Sequence, residues 1–466
     1  MGLKTFTIDF TEYTKHQYLR FDEKFWYTTK NIAVYDFILL KNIFNLINGN
    51  SHTKYYTEEA TEIPYIRIGD LTFRFEIDDK NLIYLDDSIE LNEDKILKED
   101  DLILATIGAT IGKINLARDF KGGTFSNNTI LLRLKDRKNH NPYFYEKLFQ
   151  TSLLQKYIWG VVSQKAQPNL QTYDLENVKI PLIAKPKQDQ IVSQIEPIEK
   201  KIKELKAQIT PPQEVINKVF AREFGFDLEK FEELKKIKNY YLDLFAFGNN
   251  RDIRQSVKFH REAGIFVIQQ LKKITNKKIK NFISEPIVLG KSVSPKDYDE
   301  NGDYFYISMA NIKNWQFESE DSKLVSKEYS DQNKNKTVSK NDILIARSGE
   351  GTIGKVALID DEDLQGIFAD FTMRIRLQNY NPLFAYYYFR TEYFQYLVEV
   401  NKKGLGNNTN IFPSQIQEFP MIDISLKAQQ KIVDEIKAEL DKQEEIKSKI
   451  ESERNKIDEI IEKAIK

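Results

Sequence analysis

The segment ARSGEGTIGKV at 346–356 places Gly349 five residues before Gly354 and follows it with Lys355, the spacing of a phosphate-binding loop. In such a loop, glycines let backbone N–H groups close on phosphate oxygens, the lysine reaches the terminal phosphates, and a Ser or Thr hydroxyl after it holds Mg²⁺. Val356 stands at the hydroxyl position, and the flanking runs DILIA and KVALI are of strand length, whereas a phosphate loop opens a helix. The segment reads as strand, glycine turn, strand, with glycine supplying the positive φ of the turn. The Asn-Pro pairs of NPYF (141–144) and NPLF (381–384) come close to the Asn-Pro-Pro-aromatic motif with which adenine methyltransferases hold the target amino group, but lack its second proline. Asn as N-cap and Pro at the first helical position make them helix starts. His16, His52, His140 and His260 show no ligand spacing, and the absence of cysteine excludes disulfides and thiolate metal sites. ELK and EIK triplets resemble the tail of a nuclease motif, but most lie on charged helices, where a solvated face explains them.

The elements that carry these residues occur twice. LILATIGATIGKINL at 102–116 repeats the glycine turn with one residue fewer, and IGK recurs at 111–113 and 353–355. TFSNNTILLRLK (124–135) aligns with IFADFTMRIRLQ (367–378), and IPLIAKPKQDQIV (from 180) with FPMIDISLKAQQKIV (from 419). A weaker echo joins 23–43 to 257–274. A period of about 240 residues is too long for a solenoid and implies two tandem domains of similar fold. Each copy has short β runs, the glycine turn, a strand ending near Leu134 or Leu377, a helix, and a long charged helix. The aromatic run YYYFRTEYFQY (386–396) has helical spacing and reads as packing against a sheet, not as a base-stacking platform.

Of 466 residues, 69 are Lys or Arg and 70 are Asp or Glu, so the chain has no global pull toward nucleic acid and is not a simple DNA-coating protein. The opening MGLKTFTIDFTEYTKH has no apolar signal core, and no run of eighteen apolar residues follows, so a cytoplasmic protein with no membrane partner is expected.

The long helices carry the clearest period. Ile191, Ile195, Ile198, Ile202, Leu205 and Ile209 step by 4, 3, 4, 3 and 4, the a/d pattern of a coiled coil. Pro197 should interrupt it, and TPPQ at 210–213 should end it. The C-terminal counterpart, from about Ala428 to Ile465, offers Ile432, Ile436, Ile446, Ile450, Ile457 and Ile460, with Glu439 and Gln443 as polar positions on the same seam. Neither stripe can be buried alone, so the two helices are expected to pack on each other.

The paired segments LATIGATIGKINL and IARSGEGTIGKVAL, the IPL and FPM entries, and the Gln-rich helix starts QDQIV and QQKIV make nearly the whole chain resemble the specificity subunit of type I restriction–modification systems. The resemblance implies an α+β fold of two tandem target recognition domains, 1–185 and 250–424. A helical spacer with linker helices (186–249) and a second spacer (425–466) would pair as an antiparallel coiled coil with pseudo-two-fold symmetry. It implies a non-catalytic subunit that binds double-stranded DNA and two modification subunits, with restriction and translocase subunits as further partners. S-adenosylmethionine, ATP and Mg²⁺ would then belong to those partners, with no cofactor or metal in this chain. The segment 211–250 departs from the family pattern by adding helical material.

Reading bases needs Arg or Lys for guanine and Asn or Gln for adenine, while phosphate contacts set position. Two loops in matching places supply them: SQKAQPN with Gln164, Lys165, Gln167 and Asn169, and NKKGLGNNTN with Lys402, Lys403, Asn407, Asn408 and Asn410. Arg67, Lys113, Arg347 and Lys355 are further candidates. A 22-residue helix is about 33 Å long, close to one duplex turn, so a bipartite, non-palindromic target with an unread gap is expected. Two other readings are a self-contained nucleotide-dependent enzyme or methyltransferase, and a coiled-coil scaffold for which DNA is irrelevant.

Overall fold

The run Leu102–Ala105 is apolar at every position because both of its faces are covered. Leu102 and Leu104 enter one apolar cluster while Ile103 and Ala105 enter another, the alternation of a strand. Ile343–Ala346 behaves identically, with Ile343 and Ile345 on one side and Leu344 and Ala346 on the other. A computed structural model describes residues 36–465, apart from 58, 74–75, 163–167, 238, 243–244, 246–253, 255, 321, 350 and 405–408. Most of the 23–43 echo thus lies outside the described residues.

The two strands belong to two compact units, one holding the chain up to Gln208 and from Ile446 onward, the other Ile209–Glu445. In unit 1, β1 (Phe44–Asn48), β2 (Leu102–Ala105), β3 (Ile114–Leu116) and β4 (Thr129–Leu134) form an antiparallel sheet of order β1-β4-β2-β3. In unit 2, β5 (Val288–Leu289), β6 (Ile343–Ala346), β7 (Val356–Leu358) and β8 (Thr372–Ile375) form a sheet of order β5-β8-β6-β7. The registers correspond as well: Leu102 faces Leu116 and Leu132, and Ile343 faces Leu358 and Ile375. Each unit adds a second sheet with one parallel pair, Pro64–Ile66 beside Thr124–Phe125 and Tyr304–Ile307 beside Gly366–Phe368. The two halves of the sequence repeat have one topology.

Helices cover the outer face of each central sheet. The Asn141 side chain accepts from the backbone N–H groups of Tyr143 and Phe144 and starts α1 (Pro142–Gln150); Thr151 caps α2 (Ser152–Val161). Asn381 and Thr391 do the same in unit 2 for two later helices, α7 (Pro382–Arg390) and α8 (Glu392–Asn401). Both Asn-Pro pairs are therefore helix starts. Seven rings of the aromatic run, Tyr386 to Phe389, Tyr393, Phe394 and Tyr396, lie in the unit 2 core.

Helix α3 (Lys185–Lys206) continues through Pro197, contrary to the expected interruption, because Pro removes only one hydrogen bond and its ring faces solvent. It stops at Lys206, short of the prolines, and Pro212 instead sits in the first turn of α4 (Pro212–Phe224). With α5 (Leu228–Lys236), α4 packs on the unit 2 core through Ile216, Val219, Phe220 and Phe231, so the added segment thickens the helical layer, beside α6 (Glu262–Ile274).

Helix α9 (Leu426–Ile465) supplies residues to both units. In unit 1, Ile191 and Ile195 share a cluster with Ile461 and Ile465, and Ile457 and Ile460 pack against it. Ile202 and Ile450 are buried, Ile198, Leu205 and Ile446 half-buried, and Lys201 Nζ lies 2.7 Å from Glu453 Oε1. In unit 2, Ile432 and Ile436 are core residues and Ile209 is half-buried, while the Thr210 N–H donates to Gln443 Oε1 at 2.8 Å. The glutamines that open these helices are structural: Gln188 Oε1 accepts from the Asn141 N–H and Gln429 Oε1 from the Asn381 N–H, both at 2.8 Å. Among the described residues no helix is long and apolar enough to cross a membrane.

Candidate nucleic-acid interface

At one end of each central sheet the chain turns three times, and hydrogen bonds join the turns. The glycine turn between β2 and β3 holds Gly112 at φ 90°, and that between β6 and β7 holds Gly354 at φ 86°, values that favour glycine. A Cβ on Gly112 would lie 2.3 Å from Gln155 Oε1, because that side chain lies across the turn. Gln155 Nε2 donates to Gly112 O at 2.7 Å and Phe149 O at 2.8 Å; Gln395 Nε2 donates to Gly354 O at 2.8 Å and Phe389 O at 2.7 Å. One staple thus fixes each glycine turn to the helix pair behind it. Four of the turn's donors are used within it: the N–H groups of Thr352 and Ile353 reach Gly349 O, that of Gly354 reaches Ala346 O, and that of Lys355 reaches Thr352 O. This geometry argues against the nucleotide-binding reading.

The loop after the second helix joins the same end. Leu170 N–H donates to Thr106 O at 2.8 Å and Thr106 N–H to Asn128 O at 3.1 Å; Ile411 N–H donates to Arg347 O and Arg347 N–H to Phe371 O, each at 2.9 Å. Asn169 bridges Ile107, and Asn410 bridges Ser348. Thr106, Asn128 and Gln171 of unit 1 therefore occupy the places of Arg347, Phe371 and Phe412 in unit 2. The backbones match, whereas the side chains presented differ in size, charge and aromaticity.

The individual candidates fall in contrasting surroundings. Arg67 pairs with Asp70, through Nε at 3.1 Å and Nη2 at 2.9 Å, and donates to Asn81 O; this pairing raises its pKa. Lys113 lies 5.7 Å from the Phe73 ring centroid, and Lys355 is half-buried at the end of its glycine turn. Lys402 is buried, 2.7 Å from Glu399, whose carboxyl also receives Lys258; burial alone would raise the Glu399 pKa, but these two lysines hold it low. Lys403 is exposed and exchanges two 2.7 Å backbone hydrogen bonds with Asn410, closing the loop between them. Gln164, Lys165, Gln167, Asn407 and Asn408 lie outside the described residues. The Arg347 guanidinium lies 5.7 Å from the ring centroid of the exposed Phe371 and 5.5 Å from that of the exposed Phe412. Phe371 and Phe412 were not among the sequence candidates; the 124–135 and 367–378 alignment, which sets Phe371 against Asn128, carried the signal for the first.

The family model for the type I restriction modification DNA specificity domain matches twice, over residues 35–211 and 283–455. No curated protein matches the sequence. Among solved structures, the chain is similar to one from a study of complex assembly and conformational transition of the type I R-M system (14% identity, 93% of this chain and 97% of that chain, TM-score 0.47). It is also similar to the type I restriction-modification S subunit from M. genitalium (13% identity, 93% and 97% covered, TM-score 0.38). The HsdS subunit from Thermoanaerobacter tengcongensis matches at 13% identity over the same shares, with a TM-score of 0.31.

Proposed function

The chain belongs to the type I restriction–modification DNA specificity family, with two tandem specificity domains, and from that premise we propose that it is the non-catalytic subunit that chooses the DNA target. Each unit reads one half of a bipartite, asymmetric sequence, and α3 and α9, paired as an antiparallel coiled coil, set the unread gap. Two modification subunits bind this frame and carry S-adenosylmethionine and adenine-N6 methylation; restriction subunits, where they join, carry ATP, Mg²⁺ and translocation.

The observation that carries this reading is the repeated end of the sheet, with one backbone arrangement in both units and different side chains on it. A duplicated scaffold with divergent readers gives a target whose halves differ. Near-zero net charge fits such a division, since loops alone contact bases while partner subunits enclose the duplex.

The test is selection of duplexes from a random pool by the full chain co-purified with its modification subunits, at several salt concentrations. The expected result is one two-part motif, bound more weakly as salt rises. Equal binding of selected and scrambled duplexes would leave the scaffold reading in its place.

A further inference from the structure

We propose that Arg347 selects a guanine in the half of the target read by unit 2, with Phe371 and Phe412 as the walls that aim it; this rests on the reading of unit 2 as a half-site reader. Three other arginines are engaged by carboxylates, Arg67 by Asp70, Arg133 by Asp101 and Arg376 by Asp342, and Arg390, which also lies over two rings, is buried and donates to Tyr386 Oη. Among the described residues no carboxylate pairs with Arg347; its side chain meets two aromatic rings, and its Nε is buried without a hydrogen-bond partner. A guanidinium beside two ring faces is attracted by both, and its Nη groups, which bond no described residue, are left for an acceptor outside the chain.

The rings are themselves unusual, since Phe371 is 44% and Phe412 37% exposed beside a strand whose own residues are fully buried. Two rings near one guanidinium restrict where it can go. Guanine offers O6 and N7 side by side in the major groove, the acceptor pair that a fixed guanidinium meets bidentately. The backbone of Arg347 is clamped on both sides, by Phe371 O and the Ile411 N–H, so the fork projects from a rigid point. Unit 1 has Thr106, Asn128 and Gln171 in these places and has no guanidinium there. A phosphate offers the same acceptors, and the experiment separates the two.

The full chain, co-purified with its modification subunits, selects duplexes from a random pool beside Arg347→Lys, Arg347→Ala and Phe371→Asn. Lysine keeps the charge but not the fork. The expected result is that Arg347→Lys lowers the preference for guanine at one position of one half by about 5- to 150-fold, the other half staying intact as a control on folding. Phe371→Asn alters an exposed ring, leaves the fold in place and weakens the same position. An unchanged motif in Arg347→Lys, or a uniform loss across all sequences in Arg347→Ala, identifies a phosphate anchor and overturns the proposal; so does an unchanged preference in Phe371→Asn. Failure of the wild-type complex to select any motif is a different result, which removes the half-site reading itself.

Discussion

Gln155 and Gln395 each bind two carbonyls, 37 and 35 positions apart in the chain respectively, and so tie the glycine turn to the helix pair. Replacing Gln395 by Leu leaves Gly354 O and Phe389 O without this donor and should cost unit 2 about 1–3 kcal/mol, measured as an earlier transition in urea. Gln155→Leu should act likewise on unit 1, and a change below the error of the measurement in both would show the staples to be incidental. At this scale the sequence was partly legible. The Asn-Pro helix starts and the turn glycines declare themselves through local backbone chemistry, which neighbouring residues decide. The staples do not, because Gln155 and Gly112 meet only through the tertiary fold. Side-chain burial was equally hidden: Lys402 and Lys403 are adjacent and alike in type, yet one is buried on Glu399 and the other exposed.

The helical elements invite two tests. Lys206, near the end of α3, has its pKa lowered to about 8, first by burial and then by the Arg454 guanidinium. Between pH 8 and the ordinary value of 10.5 the unfolded chain binds more protons than the folded one, so this group makes stability rise with pH across that window. Its cost is fully present below pH 8. Lys206→Met should therefore stabilise unit 1 at pH 7 by about 1 kcal/mol, after allowance for solvent screening, with the gain fading toward pH 10.5. Thermal unfolding of both chains across that range checks it, and destabilisation by the substitution at pH 7 contradicts it. Matched insertion of one heptad in α3 and α9 lengthens the pair by about 10 Å and should move the selected gap by about three base pairs; an unchanged gap contradicts the role given to the helices. Isoleucine spacing is a local signal, so it places these residues on one face of each helix without reference to the fold. Ile461 and Ile465 were missed and Ile457 and Ile460 preferred, since several apolar residues near a helix end share a face and only the partner decides which are covered.

At the scale of the whole molecule, duplication was the most legible property, because two copies of one order of motifs constrain each other where no single motif does. The sheet orders, registers and parallel pairs then agree between units. The division of the chain was less so: α4 and α5 read as linker material, yet their apolar faces complete the unit 2 core. The central claim, that twin readers select two different half-sites, is tested most directly in a methylation-free host expressing this chain with its modification subunit, by mapping N6-methyladenine across the genome. Twin readers give one motif made of two unlike halves at a fixed spacing; a single contiguous or palindromic motif, or no motif at all, rules them out.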